Sequence, residues 1–503
     1  MNKDDKRTMS SSTQDFDALI ANCEKEALHL SGKIQGFGAT FFINGETLVV
    51  TAASDNVANY IGLTVSALIG RKVHELDWLP LDVLYNLGVT PGSRAHAFNQ
   101  SLNGKELHFR SHRSESGILI EIEPAIVKVS QRQYLQLRTA ILPSIGSDWK
   151  EQDYWEQLID TLSELLPCER VLLYRFSEQW TGEVVAEKAI KGLQPYLKLK
   201  FPASDIPAIA RQMYYQNPSR YIADSGAEPV SFLTVSGTAL DLSYSDLRSV
   251  SPIHAEYMQN MGVCTSFSIP IMQQGKLWGL VSCHHSSVTH IDARLRNQAE
   301  SLVKYFSMIF STFQSKSRLF LLTSLDQDVT RISQLLATKS SDNIKAFVAS
   351  VAKAFAAESC ALLLNNAWYS TEGSGLDENV LEEIDKCCRW NTSDVILHEQ
   401  DIRNIDGLAS VHSDATRGVM LIRLNFEFES ARFYIFRVPE KQITHWAGDP
   451  DKTNQKVNDE GVLTPRASFE RWSEVDGEKS LPWSKRDILL AKKLRAALIR
   501  LLT

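Results

Sequence analysis

Phe201-Pro202-Ala203-Ser204-Asp205-Ile206-Pro207 is the most specific stretch of the chain, and the text around it sets the fold. A helical pattern over 148–166 comes first, with Trp155, Leu158, Ile159, Leu162, Leu165 and Leu166 recurring at helical spacing. Strand-like runs at 171–176 and 183–190 lie between that helix and the stretch. Two more runs, 266–272 and 277–284, come after it, joined by Gln273-Gln274-Gly275-Lys276 as a hairpin turn. These elements make an α+β unit.

The flanks divide in the same way. Residues 1–16 are polar and read as a frayed extension. From 23 to 129, β-rich runs (39–43, 47–51, 117–124) alternate with short helical ones, and Asn44-Gly45 and Asn103-Gly104 supply turns. Residues 292–337 contain no Gly or Pro, and apolar side chains recur at three- and four-residue steps. A helix of that length spans roughly 70 Å, which suits a connector between domains or a pairing with a second copy. Two helices broken near Ser315-Lys316-Ser317 are the alternative. A third unit, 341–483, holds helices at 344–356 and 377–388 and strands at 359–364, 418–425 and 431–438. Its polar stretch 439–483 has little periodicity, and loops that long are usually functional. In the closing helix, 484–502, Ala491, Leu494, Leu498 and Leu501 stand at the 3-4-3 spacing of a coiled-coil seam.

Composition bounds the function. A chain of 503 residues predicts about three domains. With 44% apolar and 22% charged residues it reads as globular rather than disordered or fibrous. A net charge of −7 gives no footprint for nucleic acid or an anionic membrane. No apolar run approaches the roughly 20 residues of a membrane span, and MNKDDKRTMSSSTQDFD lacks the apolar core of a secretory signal. Seven cysteines without a C-x-x-C pair fit a reducing compartment, so a cytoplasmic location is expected.

Four further motifs accompany the opening stretch: Arg248-Ser249-Val250-Ser251-Pro252-Ile253-His254, Asn260-Met261-Gly262-Val263, Leu277-Trp278-Gly279-Leu280 and Cys283-His284-His285. In order and spacing they resemble the chromophore-binding GAF domain of phytochromes. Cys23-Glu24-Lys25-Glu26 with Ile34-Gln35 resembles the N-terminal PAS domain of bacteriophytochromes. Trp446-Ala447-Gly448-Asp449-Pro450 and Pro465-Arg466-Ala467-Ser468-Phe469 resemble the tongue of the PHY domain. The resemblance implies an α+β chain of three tandem domains, each an antiparallel sheet with flanking helices, joined by a long helix. The implied limits are an extension at 1–16, PAS at 17–130, GAF at 131–315 and PHY at 316–503. The PHY part includes a tongue at about 439–483 and an output helix at 484–503. It further implies a figure-eight knot, with Ile34 inside a loop of the GAF domain.

The same resemblance assigns a site. Cys23 would form the thioether to a linear tetrapyrrole. Other family members place the attachment cysteine directly before the GAF histidine, where this chain has Ile253, which favours biliverdin over a more reduced bilin. Arg220 and Arg248 match the propionate-binding arginines; a planar guanidinium can hold a carboxylate bidentately. Asp205 would offer its backbone carbonyl to the pyrrole N–H groups and its carboxylate to the tongue. His254 would stand beside the pyrrole nitrogens, and His284 would hydrogen-bond the D-ring carbonyl. Ile206, Pro207, Tyr174, Phe201, Tyr214 and Tyr257 would enclose the chromophore, with Ser266 and Ser268 near a propionate. Arg466 would pair with Asp205 in the red-absorbing state, where the tongue is a hairpin. Ser468 would replace Arg466 after illumination, with 467–474 refolding to a helix. One departure stands out: the family's Ile-Gln-Pro-His-Gly is Ile34-Gln35-Gly36-Phe37-Gly38 here, which loses the proline's fixed φ and the histidine's polarity.

The function implied is red/far-red light sensing, signalled through the C-terminal helix to an output domain, a histidine kinase or diguanylate cyclase, or a response regulator. The chain shows neither catalytic motif. A homodimer is expected through the long helices and a C-terminal coiled coil. A GAF-type sensor of a small diffusible ligand, such as a cyclic nucleotide, is the alternative, and Cys23, Asp205, His254 and His284 together disfavour it. An enzyme is disfavoured too: there is no G-x-S-x-G, phosphate-cradling loop or zinc spacing, and Cys283-His284-His285 is too compact for a structural zinc site.

Overall fold

The computed structural model describes residues 27–126, 130–141, 149–235, 237, 239–336, 340–373, 375–391, 395–411, 413–425, 430–451 and 465–502. It divides into two compact units, Met1–Ser311 with His445–Trp472, and Thr312–Thr444 with Ser473–Thr503.

The first unit contains a seven-stranded antiparallel sheet. Its order is Lys33–Ile34, Val230–Thr234, Val50–Ser54, Ala39–Asn44, Gly117–Pro124, Lys105–Arg113 and Arg94–Leu102. Asn103 and Gly104 both take positive φ, as a two-residue hairpin turn requires. The strand expected at 47–51 starts only at Val50. The Asn44 side chain accepts from the amides of Glu46 and Thr47 and lengthens the turn. Alternation sorts the two faces: Ile118, Ile120 and Ile122 enter an apolar core with Phe41 and Phe109, while Glu121 and Glu123 point the other way.

That second face is buried as well, and its ionisable side chains each have a partner, as buried polar groups require. Glu123 pairs with Arg296, Arg110 with Asp246, His108 with Asp292 at 2.9 Å, and His112 with Glu121 at 2.9 Å. Burial works against charge on Glu121, yet His112, Arg110 and Ser245 hold its pKa down to about 2.

Two pieces of this sheet come from distant sequence. Lys33 and Ile34 pair with Ser231 and Val230 on one side. On the other, the Gln35 amide donates to Leu247 O at 2.7 Å and the Ser249 amide to Lys33 O at 3.1 Å. Ile34 is fully buried between them.

The second sheet of this unit runs Arg220–Ile222, Thr265–Gln273, Lys276–His285, Arg170–Phe176, Gly182–Ala189 and Lys200–Phe201, all antiparallel. Trp446 then pairs in parallel with Lys200, so this sheet is not purely antiparallel as expected. The added strand arrives from far along the chain rather than from a hairpin, and nothing ties it to the antiparallel sense. Helix Glu151–Leu165 covers one face, with Trp155 against Trp278 and Phe310. Residues of helices Ala208–Gln216 and Pro252–Asn260 border a cavity on the other face together with Ser266, Ser268 and His284.

The second unit has a five-stranded antiparallel sheet, ordered Ala367–Ser370, Ser359–Leu364, Ser430–Arg437, Gly418–Asn425 and Ile396–Glu399. Helix Ala293–Gln334, which begins in the first unit and ends in the second, is continuous through Ser315-Lys316-Ser317, so the two-helix alternative does not form. The coiled-coil seam needs a correction. Ala491, Leu494 and Leu498 are fully buried inside the second unit, in one core with Val329, Ile332, Met420 and Ile422. A 3-4 spacing describes any helix face laid on a core, and the unit's own sheet and helices cover this one. Only Leu501, 49% exposed, remains outside. No described helix is long and apolar enough to cross a membrane.

Candidate functional site

A cavity of about 410 Å³ lies within the first unit, in the size range of small-molecule sites. Tyr174, Phe201, Asp205, Ile206, Pro207, Tyr214 and Arg220 line it, as do Arg248, His254, Tyr257, Ser266, Ser268, His284 and Arg466. Ser468 does not reach it, and Cys23 lies outside the described residues.

Strand periodicity explains much of this convergence. Ser266 faces Ile222 on one neighbour and His284 on the other, and Ser268 faces Arg220 and Ser282. Ser266, Ser268, Ser282 and His284 therefore share the cavity face, while Phe267 and Cys283, one step out of phase, are fully buried on the opposite one. Helical periodicity does the same for His254 and Tyr257, three residues apart and stacked at 6.0 Å. Gly182 makes room for Tyr174: a Cβ there would lie 1.6 Å from the tyrosine Cζ.

Asp205 ends a short 3-10 turn, Ala203–Asp205. Arg211, on the following helix, ties this turn down by donating to the carbonyls of Ala203, at 3.3 Å, and Ile206. The Asp205 carboxylate accepts from Tyr257 Oη at 3.0 Å and from Arg466 Nη2. Arg466 also donates to Ala447 O and receives the Asn260 side-chain amide on its own carbonyl at 3.1 Å. Phe469 meets the Tyr257 ring edge-on at 5.0 Å.

The arginines set the electrostatics. Arg220 Nη2 donates to Ser249 O at 2.9 Å, but its Nη1 and that of Arg248 are buried with no partner among the described residues. Burial, then the Arg248 charge, brings Arg220 down to about 9, and burial brings Arg248 to about 10. Burial also lowers His254 to about 4 and His284 to about 3, so both rings are neutral at pH 7. His254 has open surface, but that surface borders the cavity. His284 Nδ1 is buried with no partner among the described residues. Burial raises Tyr214, whose hydroxyl bonds Ser268. Such an arrangement suits a mainly apolar ligand with two acidic arms.

Arg211 and Gly182 were not singled out from sequence, and Asn260 entered only within the Asn260-Met261-Gly262-Val263 motif, with no role of its own. Arg211 follows Pro207 by one helical turn, and Asn260 follows Tyr257 by nearly one, so a helical projection of either segment would have placed them beside the named residues. Gly182 carries no such signal.

Family models match three parts of the chain: PAS fold at 23–125, GAF domain at 152–311 and Phytochrome region at 327–503. Cyanobacterial phytochrome B of Nostoc sp. is 30% identical, covering 96% of this chain and 66% of that protein. The Bacteriophytochrome of Pseudomonas aeruginosa is also 30% identical, with 96% and 66% covered. The chain thus spans about two thirds of the length of these relatives. The crystal structure of a bacteriophytochrome from R. palustris shares the fold, with a TM-score of 0.81 over 96% of this chain and 99% of that one at 23% identity. Together with the cavity and the strand that carries Trp446, these matches identify the chain as a member of the phytochrome family, a photosensory module of the bacteriophytochrome type with PAS, GAF and PHY domains.

Proposed function

We propose that this module senses red and far-red light by holding biliverdin in the cavity of the first unit. The observation that carries the reading is the pair of buried guanidinium Nη1 atoms, on Arg220 and Arg248, which face one cavity without a counter-ion among the described residues. Two propionates are what such a pair fits. When bound, biliverdin supplies red-light absorption and an isomerisation at its D ring.

The chain's own residues do the rest. Cys23 anchors the chromophore as a thioether. Arg220 and Arg248, with Ser266 and Ser268, hold the propionates. The Asp205 carbonyl would accept hydrogen bonds from the pyrrole N–H groups, neutral His254 would stand beside the pyrrole nitrogens and help keep them protonated, and His284 would donate to the D-ring carbonyl. Tyr174, Phe201, Ile206, Pro207, Tyr214 and Tyr257 exclude water. In the resting state Arg466 occupies the Asp205 carboxylate. On signalling that pair opens, Asp205 accepts from Ser468, and the tongue passes from hairpin to helix. Rise per residue falls from about 3.3 Å to 1.5 Å, which shortens the segment and pulls on the C-terminal helix.

The domain limits given from sequence belong to this reading, as does a figure-eight knot. Support for the knot comes from the hydrogen bonds that Lys33–Gln35 make to both 230–231 and 247–249. The partners are a second copy of the chain and an output domain, histidine kinase or diguanylate cyclase, in the cytoplasm. Apoprotein mixed with biliverdin tests the reading. A red absorption band is expected, and Arg220→Ala combined with Arg248→Ala should weaken binding at least about tenfold. Undiminished affinity in that double variant contradicts the assignment.

A further inference from the structure

We infer that Gln35 is a positioning residue for the two-arginine clamp, setting the spacing of Arg220 and Arg248 and thereby the preference for a ligand with two free carboxylates. This rests on the reading of the cavity given above.

The Gln35 side chain is 7% exposed and makes three hydrogen bonds, all to backbone. Its Nε2 donates to Tyr221 O at 2.9 Å and to Arg248 O at 3.3 Å, and its Oε1 accepts from the Ala223 amide at 3.1 Å. Tyr221 lies on strand Arg220–Ile222, which among the described residues is paired on one side only, with Thr265–Gln273. The Gln35 amide therefore does for the open edge what a peptide group of a further strand would do, taking one carbonyl and one N–H. Its third bond ends on Arg248 itself.

One planar amide thus fixes the backbone beside Arg220 to the backbone of Arg248. The guanidinium of Arg220 adds a second tie, to Ser249 O at 2.9 Å. With the backbone ends held, each arginine keeps one buried, unpartnered Nη1 in the cavity. Gln35 is itself anchored by its own amide, which donates to Leu247 O at 2.7 Å. Removing the side-chain amide leaves two carbonyls and one N–H without their partner, and the two arginine-bearing segments are free to shift against each other.

The test compares affinity for biliverdin with affinity for biliverdin dimethyl ester, whose capped propionates cannot pair with a guanidinium. Wild type is expected to favour the free acid at least about tenfold, and Gln35→Leu to lose most of that preference while still binding both. Amide exchange in the bilin-free protein gives an independent readout, since Ala223 N–H should exchange faster in Gln35→Leu. If wild type binds neither compound, or both alike, the reading of the cavity falls. If wild type discriminates and a folded Gln35→Leu keeps the same ratio, only the role of Gln35 falls. Gln35→Asn, whose amide is one methylene short of spanning both segments, should give an intermediate ratio; an unchanged ratio there also overturns the proposal. Failure of both variants to fold would mark the amide as a folding element alone and overturn it too.

Discussion

Arg466 donates its guanidinium to the carboxylate of Asp205 across 261 residues of sequence, and both side chains are at least 95% buried. A buried pair of this kind is costly to break from one side, because the remaining charge is left uncompensated. Asp205 stays near the cavity whatever Arg466 does, since it ends the turn that Arg211 ties down. In the proposed switch, the movable partner is Arg466.

Arg466→Ala should therefore leave bilin binding intact while loosening the segment that carries it. The local cost is about 3–5 kcal/mol, the range for an orphaned buried charge. Hydrogen exchange checks this: amides at 445–451 and 465–472 should lose protection in the variant, with the sheet strands unchanged. Equal protection of the tongue amides in both proteins contradicts it.

The cavity-lining residues were named from the resemblance of their motifs to phytochromes, and periodicity accounts for how the fold gathers them. Strand alternation brings Ser266, Ser268 and His284 to one face, and one helical turn sets His254 beside Tyr257. What was not legible depends on segments that meet only in the folded chain. Val230–Thr234 joins a sheet built mostly from residues before 125, and Trp446 pairs in parallel with Lys200. Neither register has a local signature, since backbone pairing is indifferent to side-chain type. The seam at Ala491, Leu494 and Leu498 failed for the opposite reason: its local pattern is clear, but apolar spacing does not say whether the cover comes from the same chain or another.

Binding should also depend on pH through the arginines. Burial lowers Arg220 to about 9 and Arg248 to about 10 in the bilin-free protein. Carboxylates bind the cationic forms and raise these values, so affinity for biliverdin is full from neutral pH, where the propionates are ionised, up to about pH 9. It should fall by up to about tenfold per pH unit above the lower value, and more steeply once both arginines titrate. Affinity for the dimethyl ester should show no such fall. Parallel curves for the two compounds would count against the clamp.

Acid stability should report the buried layer of the seven-stranded sheet. His112 is fully buried, and burial lowers its pKa to about 4. The unfolded chain then binds a proton below about 6.5 that the folded one refuses, so stability is full above that pH. It should be lost at about 1.4 kcal/mol per pH unit between roughly 6.5 and 4. Glu121, held at about 2, adds loss in the same direction below its ordinary value. Denaturant titrations of the bilin-free protein at pH 7.5 and 5.5 should show this slope, and His112→Gln should flatten it. An unchanged slope in that variant would rule His112 out as the source.

Covalent attachment is checked separately from binding. Cys23→Ala should still take up biliverdin but release it on denaturation, whereas the wild-type band keeps zinc-induced fluorescence. Fluorescence that survives in the denatured Cys23→Ala band would place the thioether elsewhere.

The central claim meets its most direct test in the absorption spectrum of the chain co-expressed with a haem oxygenase. A coloured protein with a red band is expected. Red light should convert that band to a far-red one, and far-red light or darkness should restore it. A colourless protein, or a coloured one whose spectrum is the same before and after illumination, would contradict the account.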